Sequence, residues 1–77
     1  MALTRQDWVE KYANALGVPV PQQQEIADLL DLAGVAAHSS ERTAAPITCW
    51  LAARAGIAPG EALARGQELA RELDESP

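Results

Sequence analysis

His38-Ser39-Ser40-Glu41-Arg42-Thr43 is the only dense run of chemically reactive side-chain types in this chain. A serine beside a histidine and an acid names the components of a nucleophilic triad, in which the base must reach the hydroxyl and the acid must orient the base. Asp31 falls on the same side of the second helix as His38, two turns earlier, if that helix runs so far. No oxyanion-hole motif accompanies these residues, and nothing in their spacing sets a geometry. Arg42 could contact an anionic ligand. The plainer reading is that one hydroxyl caps a helix while His38 and Arg42 satisfy nearby carbonyls or carboxylates, the usual work of polar residues at helix ends. The expectation is no catalytic residue, and His38, Ser39, Ser40, Glu41, Arg42 and Thr43 as the candidate binding corner.

Other chemistry is thinner. One histidine and one cysteine, Cys49, cannot build a structural zinc site or an intrachain disulfide. Glu25, Asp28 and Asp31 share one helix edge, which reads as a solvated face rather than a cation site. The five glycines stand singly, so there is no phosphate-cradling loop and no cofactor is expected. A mid-chain serine in an acidic helical chain resembles the arrangement of acyl carriers. Those read Asp-Ser-Leu after a long loop, whereas here His38-Ser39-Ser40 follows a strong helical pattern.

The elements that would position this corner are helices. Thr4 and Asp7 form a capping signal. Trp8, Val9, Tyr12, Ala13 and Leu16 then recur at helical spacing up to Gly17. Val18-Pro19-Val20-Pro21 must be extended. A second helix carries Ile26, Leu29, Leu30, Ala33 and Ala37 on one stripe, with Leu32 and Val35 off it, so it is apolar around most of its circumference. The third takes Ile47, Trp50 and Leu51 as its core stripe and has Arg54 as its one charge. Either Ser40 or Thr43 could cap it; Pro46 fits the first turn in the second case and bends the helix in the first. The fourth opens at Pro59 and turns Ala62, Leu63, Leu69, Ala70 and Leu73 inward. The reading is an all-α fold, one domain over 1–77, a compact bundle of about four helices near 5–16, 22–37, 41–55 and 59–73. Helices two and three form its apolar centre. Trp8 and Trp50 are assigned to the core, with a tryptophan rim on a partner-binding surface as the alternative.

Composition limits the partners. The net charge of −5 opposes generic nucleic-acid binding and anionic membranes. The third helix is also too apolar for a DNA recognition helix. No apolar run approaches the ~20 residues of a membrane span. The start, MALTRQDW, lacks a signal-peptide core, so the expected compartment is cytoplasmic.

LTRQDWVEKYANALGV, LLDLAGVAAHSSERTAAPITCWLAARAG and EALARGQELA together resemble a bacterial domain family of unknown function. The most specific part runs from Leu29 to Gly56. Similar segments occur fused to the C-terminal side of molybdenum-cofactor guanylyltransferases. The resemblance therefore implies an accessory role near molybdopterin guanine dinucleotide biosynthesis or molybdoenzyme maturation, and assigns no catalytic residue. The resulting expectation is a non-enzymatic protein-interaction domain, monomer or weak homodimer, whose partner is such a guanylyltransferase or a molybdoenzyme. The alternative is a small-ligand or nucleotide site at the His38–Thr43 corner.

Overall fold

The structure is a computed structural model that describes residues 3–75. It is an all-α bundle of four helices: α1 (Arg5–Leu16), α2 (Gln23–Ser39), α3 (Ala44–Arg54) and α4 (Pro59–Glu75). The ends follow from local chemistry. Thr4 Oγ1 accepts from the Asp7 N–H at 3.0 Å while Asp7 accepts from the Thr4 N–H, which closes a capping box on α1. Gly17 ends α1 at φ +73°, a left-handed conformation that costs glycine nothing, and the Val18 N–H reaches back to the Ala13 carbonyl. Glu25 accepts from the Gln22 N–H at 2.8 Å and starts α2.

The packing is organised around α2. Both α3 and α4 lie against it and barely touch each other, whereas no Cα of α1 comes within 8 Å of another helix among the described residues. This corrects the expected arrangement, in which α2 and α3 together are the centre. Gly66 explains how α4 approaches so closely. A methyl group added there would sit 2.8 Å from Leu32 Cδ1, so any larger residue would push aside the end of the most buried leucine of α2.

A second correction concerns which faces are covered. Ala13, Ile26, Leu32 and Ala62 are the buried apolar residues among those described. Leu32, off the expected stripe, is only 2 % exposed, whereas Ile47 and Trp50 are each 60 % exposed and Leu51 is also outside. Trp8 is 58 % exposed, so neither tryptophan is in the core. Leu69 and Leu73 are open as well. On α3 the small side chains Ala44, Ala45, Thr48, Cys49 and Ala52 turn toward the bundle and the large ones turn away. Small residues let α3 sit close to α2, and that closeness decides the rotation of the helix.

Between α1 and α2 the chain doubles back. Gln23 Nε2 donates to Gln6 Oε1 at 3.3 Å, which brings the start of α2 beside the start of α1. Returning along α1 from Leu16 to Gln6 covers about 15 Å at a helical rise of 1.5 Å per residue. Extended backbone through Val18-Pro19-Val20-Pro21 bridges that distance at roughly 3.3 Å per residue.

Candidate functional site

The His38–Thr43 corner joins α2 to α3: His38 and Ser39 are still in the last turn of α2, two residues beyond its expected end, and residues 40–43 form the link. Its residues do not converge. Ser40 stands at the C-terminal end of α2, where its N–H donates to the Ala36 carbonyl at 3.0 Å and its hydroxyl donates to the same carbonyl at 2.9 Å. That hydroxyl is occupied in finishing a helix. Glu41 and Arg42 carbonyls accept from the Ala44 and Ala45 N–H groups, at 3.0 and 3.1 Å. This tight turn satisfies the first amides of α3 with backbone. Neither Ser40 nor Thr43 caps α3 through its side chain. The helix starts at Ala44, so Pro46 lies in the first turn, where a missing N–H is tolerated. Thr48 Oγ1 donates back to the Ala44 carbonyl at 2.8 Å.

Two hollows flank the corner on different sides. The first is a groove of about 210 Å³ between the end of α2, the start of α3 and the last turns of α4; Leu32, Val35, Ser39, Ser40, Leu69 and Leu73 line it. It is chiefly apolar. The second is a shallow hollow along the seam between α2 and α4, lined by Asp31, Gly34, His38, Ser39, Gln67 and Ala70 among others. His38 and Asp31 do share a side of α2, as their spacing requires. Ser39 borders both hollows, while Glu41, Arg42 and Thr43 line neither and are exposed. The corner therefore offers a histidine–carboxylate edge on one side and serines above an apolar groove on the other.

No group of three or more His, Cys, Asp or Glu residues is placed to hold a metal ion among the described residues. No described helix is long and apolar enough to cross a membrane. Cys49 is half-buried; its thiol lies 3.8 Å from the Leu29 carbonyl, to which it donates, and burial pushes its pKa up. A raised pKa disfavours the thiolate, and the thiol packs against α2 at Leu29.

The features that position-by-position chemistry missed are apolar. On α3, Ile47, Trp50, Leu51 and Arg54 form an outward stripe at the spacing of one helix face, and the Arg54 guanidinium lies over the Trp50 ring, 5.1 Å from its centroid. On α1, Trp8 and Tyr12 stack with ring centroids 5.8 Å apart, and Leu16 continues their row. The spacing of both rows is plain in the sequence; that they face outward is not.

The family model of a domain of unknown function, DUF6457, matches residues 2–76, nearly the whole chain. The chain belongs to the DUF6457 family. The resemblance read from the Leu29–Gly56 stretch is consistent with that membership. No curated protein and no solved structure matches the chain.

Proposed function

We propose that this DUF6457 chain is a non-enzymatic accessory domain that works by docking apolar helix faces on protein. The single observation that supports this reading is the apolar surface left outside the bundle, namely the groove beside Leu69 and Leu73 and the outward Ile47–Trp50–Leu51 stripe of α3. A helix that is apolar on all sides belongs inside something, and this one is covered on one side only. Aromatic side chains exposed in rows are also the residue types that anchor interfaces. The partner class follows from the sequence resemblance: a molybdenum-cofactor guanylyltransferase or a molybdoenzyme. The direct test is calorimetric titration of the purified chain against each, with molybdoenzyme activity measured after deletion of the gene. Saturable binding and reduced activity are expected. No binding, together with unchanged activity, overturns the proposal.

A second reading, a small-ligand or nucleotide site at the His38–Thr43 corner, draws support from the two hollows beside it. Arg42, the anion contact that reading needs, lines neither. NMR titration with molybdopterin, nucleotides and phosphate decides it: shifts confined to His38, Ser39 and Asp31 would favour a ligand there, and a silent corner removes it.

A further inference from the structure

We infer that this chain forms a closed homodimer in which α1 of each copy packs on the outward α3 stripe of the other. The inference rests on reading the apolar helix faces as interaction surface, and names what covers two of them.

A folded monomer of this mass, 8.2 kDa, exposes about 4,500 Å² by the usual scaling of surface with size. This chain exposes 6027 Å². The excess, about 1,500 Å² per copy, is what each subunit of a permanent dimer loses at an interface of 2,000–5,000 Å² in total. Shape agrees with area. The radius of gyration is 13.9 Å, against about 11.5 Å for a compact domain of this length, and the molecule measures 49 × 28 × 18 Å. The chain is drawn out because α1 leaves the α2–α4 core without a helix to pack on.

The two faces match. α1 presents Trp8, Tyr12 and Leu16 in a row with only its Val9–Ala13 edge covered. α3 presents Ile47, Trp50 and Leu51, with Arg54 its sole charge. The α1 row spans about 12 Å, and the α3 row about 6 Å from Ile47 to Leu51, or about 10 Å with Arg54 included. Neither meets the other within one chain. Exchanged between two copies, each α1 gains a helix to pack on and each α3 becomes covered on both sides. The exchange is reciprocal, so the pair closes on a two-fold axis and leaves no free face for a third copy. The groove beside Leu69 and Leu73 and the His38 edge are outside this exchange and stay available to another protein.

Sedimentation equilibrium of the full chain, from about 1 μM to 1 mM, reads the mass directly. Twice the chain mass is expected over most of that range. A single-chain mass throughout overturns the inference, as does a mass that climbs beyond two chains. The arrangement is read by NMR on a mixture of isotope-labelled and unlabelled native chain. Intermolecular contacts between Trp8 or Tyr12 and Ile47 or Trp50 are expected; a dimer whose contacts lie elsewhere overturns the arrangement. Trp50→Glu and Trp8→Glu, both at outward positions, should each weaken the dimer at least 100-fold with the helical circular dichroism signal retained. Retention of a tight dimer in both variants counts against the inference. The native-chain NMR decides it if either variant fails to fold. A monomer that still binds a molybdoenzyme maturation protein would remove the dimer and keep the proposed function; a dimer that binds none would do the reverse.

Discussion

At the scale of single residues, the smallest and the most reactive side chains serve packing. Gly66 sits where α4 meets Leu32, and Gly34 sits where a Cβ would meet nothing within 4 Å. Adding a side chain at the two glycines should therefore act in opposite directions. Gly34→Ala should raise stability by about 1 kcal/mol, the helix-propensity difference. Gly66→Val should lower it by about 1–3 kcal/mol through overpacking against Leu32. Urea unfolding of the two variants beside the parent checks both signs. Cys49 gives a pH prediction. Burial raises its folded pKa, so the folded state holds the thiol proton at pH values where the unfolded chain has lost it. Its contribution is then fully present below the ordinary thiol value of about 8.5 and is lost as pH rises past it. Cys49→Ser should remove that part of the alkaline decline, as measured by midpoint denaturation between about pH 7 and 10.

At the scale of elements, the helices differ in what holds them. α1 depends on its own ends: the Thr4–Asp7 capping box, the Gly17 cap and the Trp8–Tyr12 stack. Caps of that kind contribute about 0.5–2 kcal/mol. α2 depends on two neighbours packed along its length. Hydrogen exchange of the chain held as a monomer by Trp50→Glu should show α1 amides opening first and α2 amides last. Thr4→Ala should speed exchange throughout α1 and leave α2 unchanged. Equal protection of α1 and α2 in that monomer would mean that the Gln6–Gln23 bond and the buried Ala13 hold α1 as firmly as helix packing holds α2. The α2–α3 corner should be tolerant: Ser39→Ala and Ser40→Ala should each shift stability by no more than about 0.5 kcal/mol, because the Ser40 bond is local and exposed.

At the scale of the whole molecule, the buried set is small and the outside is unusually apolar. Leu32→Ala should cost about 2–5 kcal/mol, because it empties the place where α2 and α4 meet, and so should unfold a chain of this size at moderate temperature. The midpoint of thermal unfolding should rise with protein concentration, as it must when the folded species is a pair. A midpoint independent of concentration would be the behaviour of a self-sufficient monomer.

Helix number, the α class and the bounds of α1 were legible from residue types alone; the start of α3, expected near 41, lies at Ala44, because the Glu41 and Arg42 carbonyls form the turn that satisfies its first amides. Thr4, Gly17, Pro59 and the Val18–Pro21 segment act through backbone geometry within a few residues, so local sequence suffices to place them. The expected junction at His38–Thr43 was legible only in part: α2 runs on to Ser39, so His38 and Ser39 belong to its last turn and only residues 40–43 form the link. Which face of each helix is covered was not. In α2 and α3 apolar residues run round most of the circumference, so periodicity leaves several rotations equally acceptable. Leu32 lies in the core and Trp50 outside it because of close approach: Gly66 admits Leu32 from α4, and the alanines and Cys49 of α3 fit against α2 where Ile47 and Trp50 would not. That choice is made by the volume between elements distant in sequence, which only the tertiary structure supplies. The corner follows the same division: its residue types came from the sequence, but only the packing of three helices sends His38 toward one hollow, Ser40 toward another and Arg42 to neither.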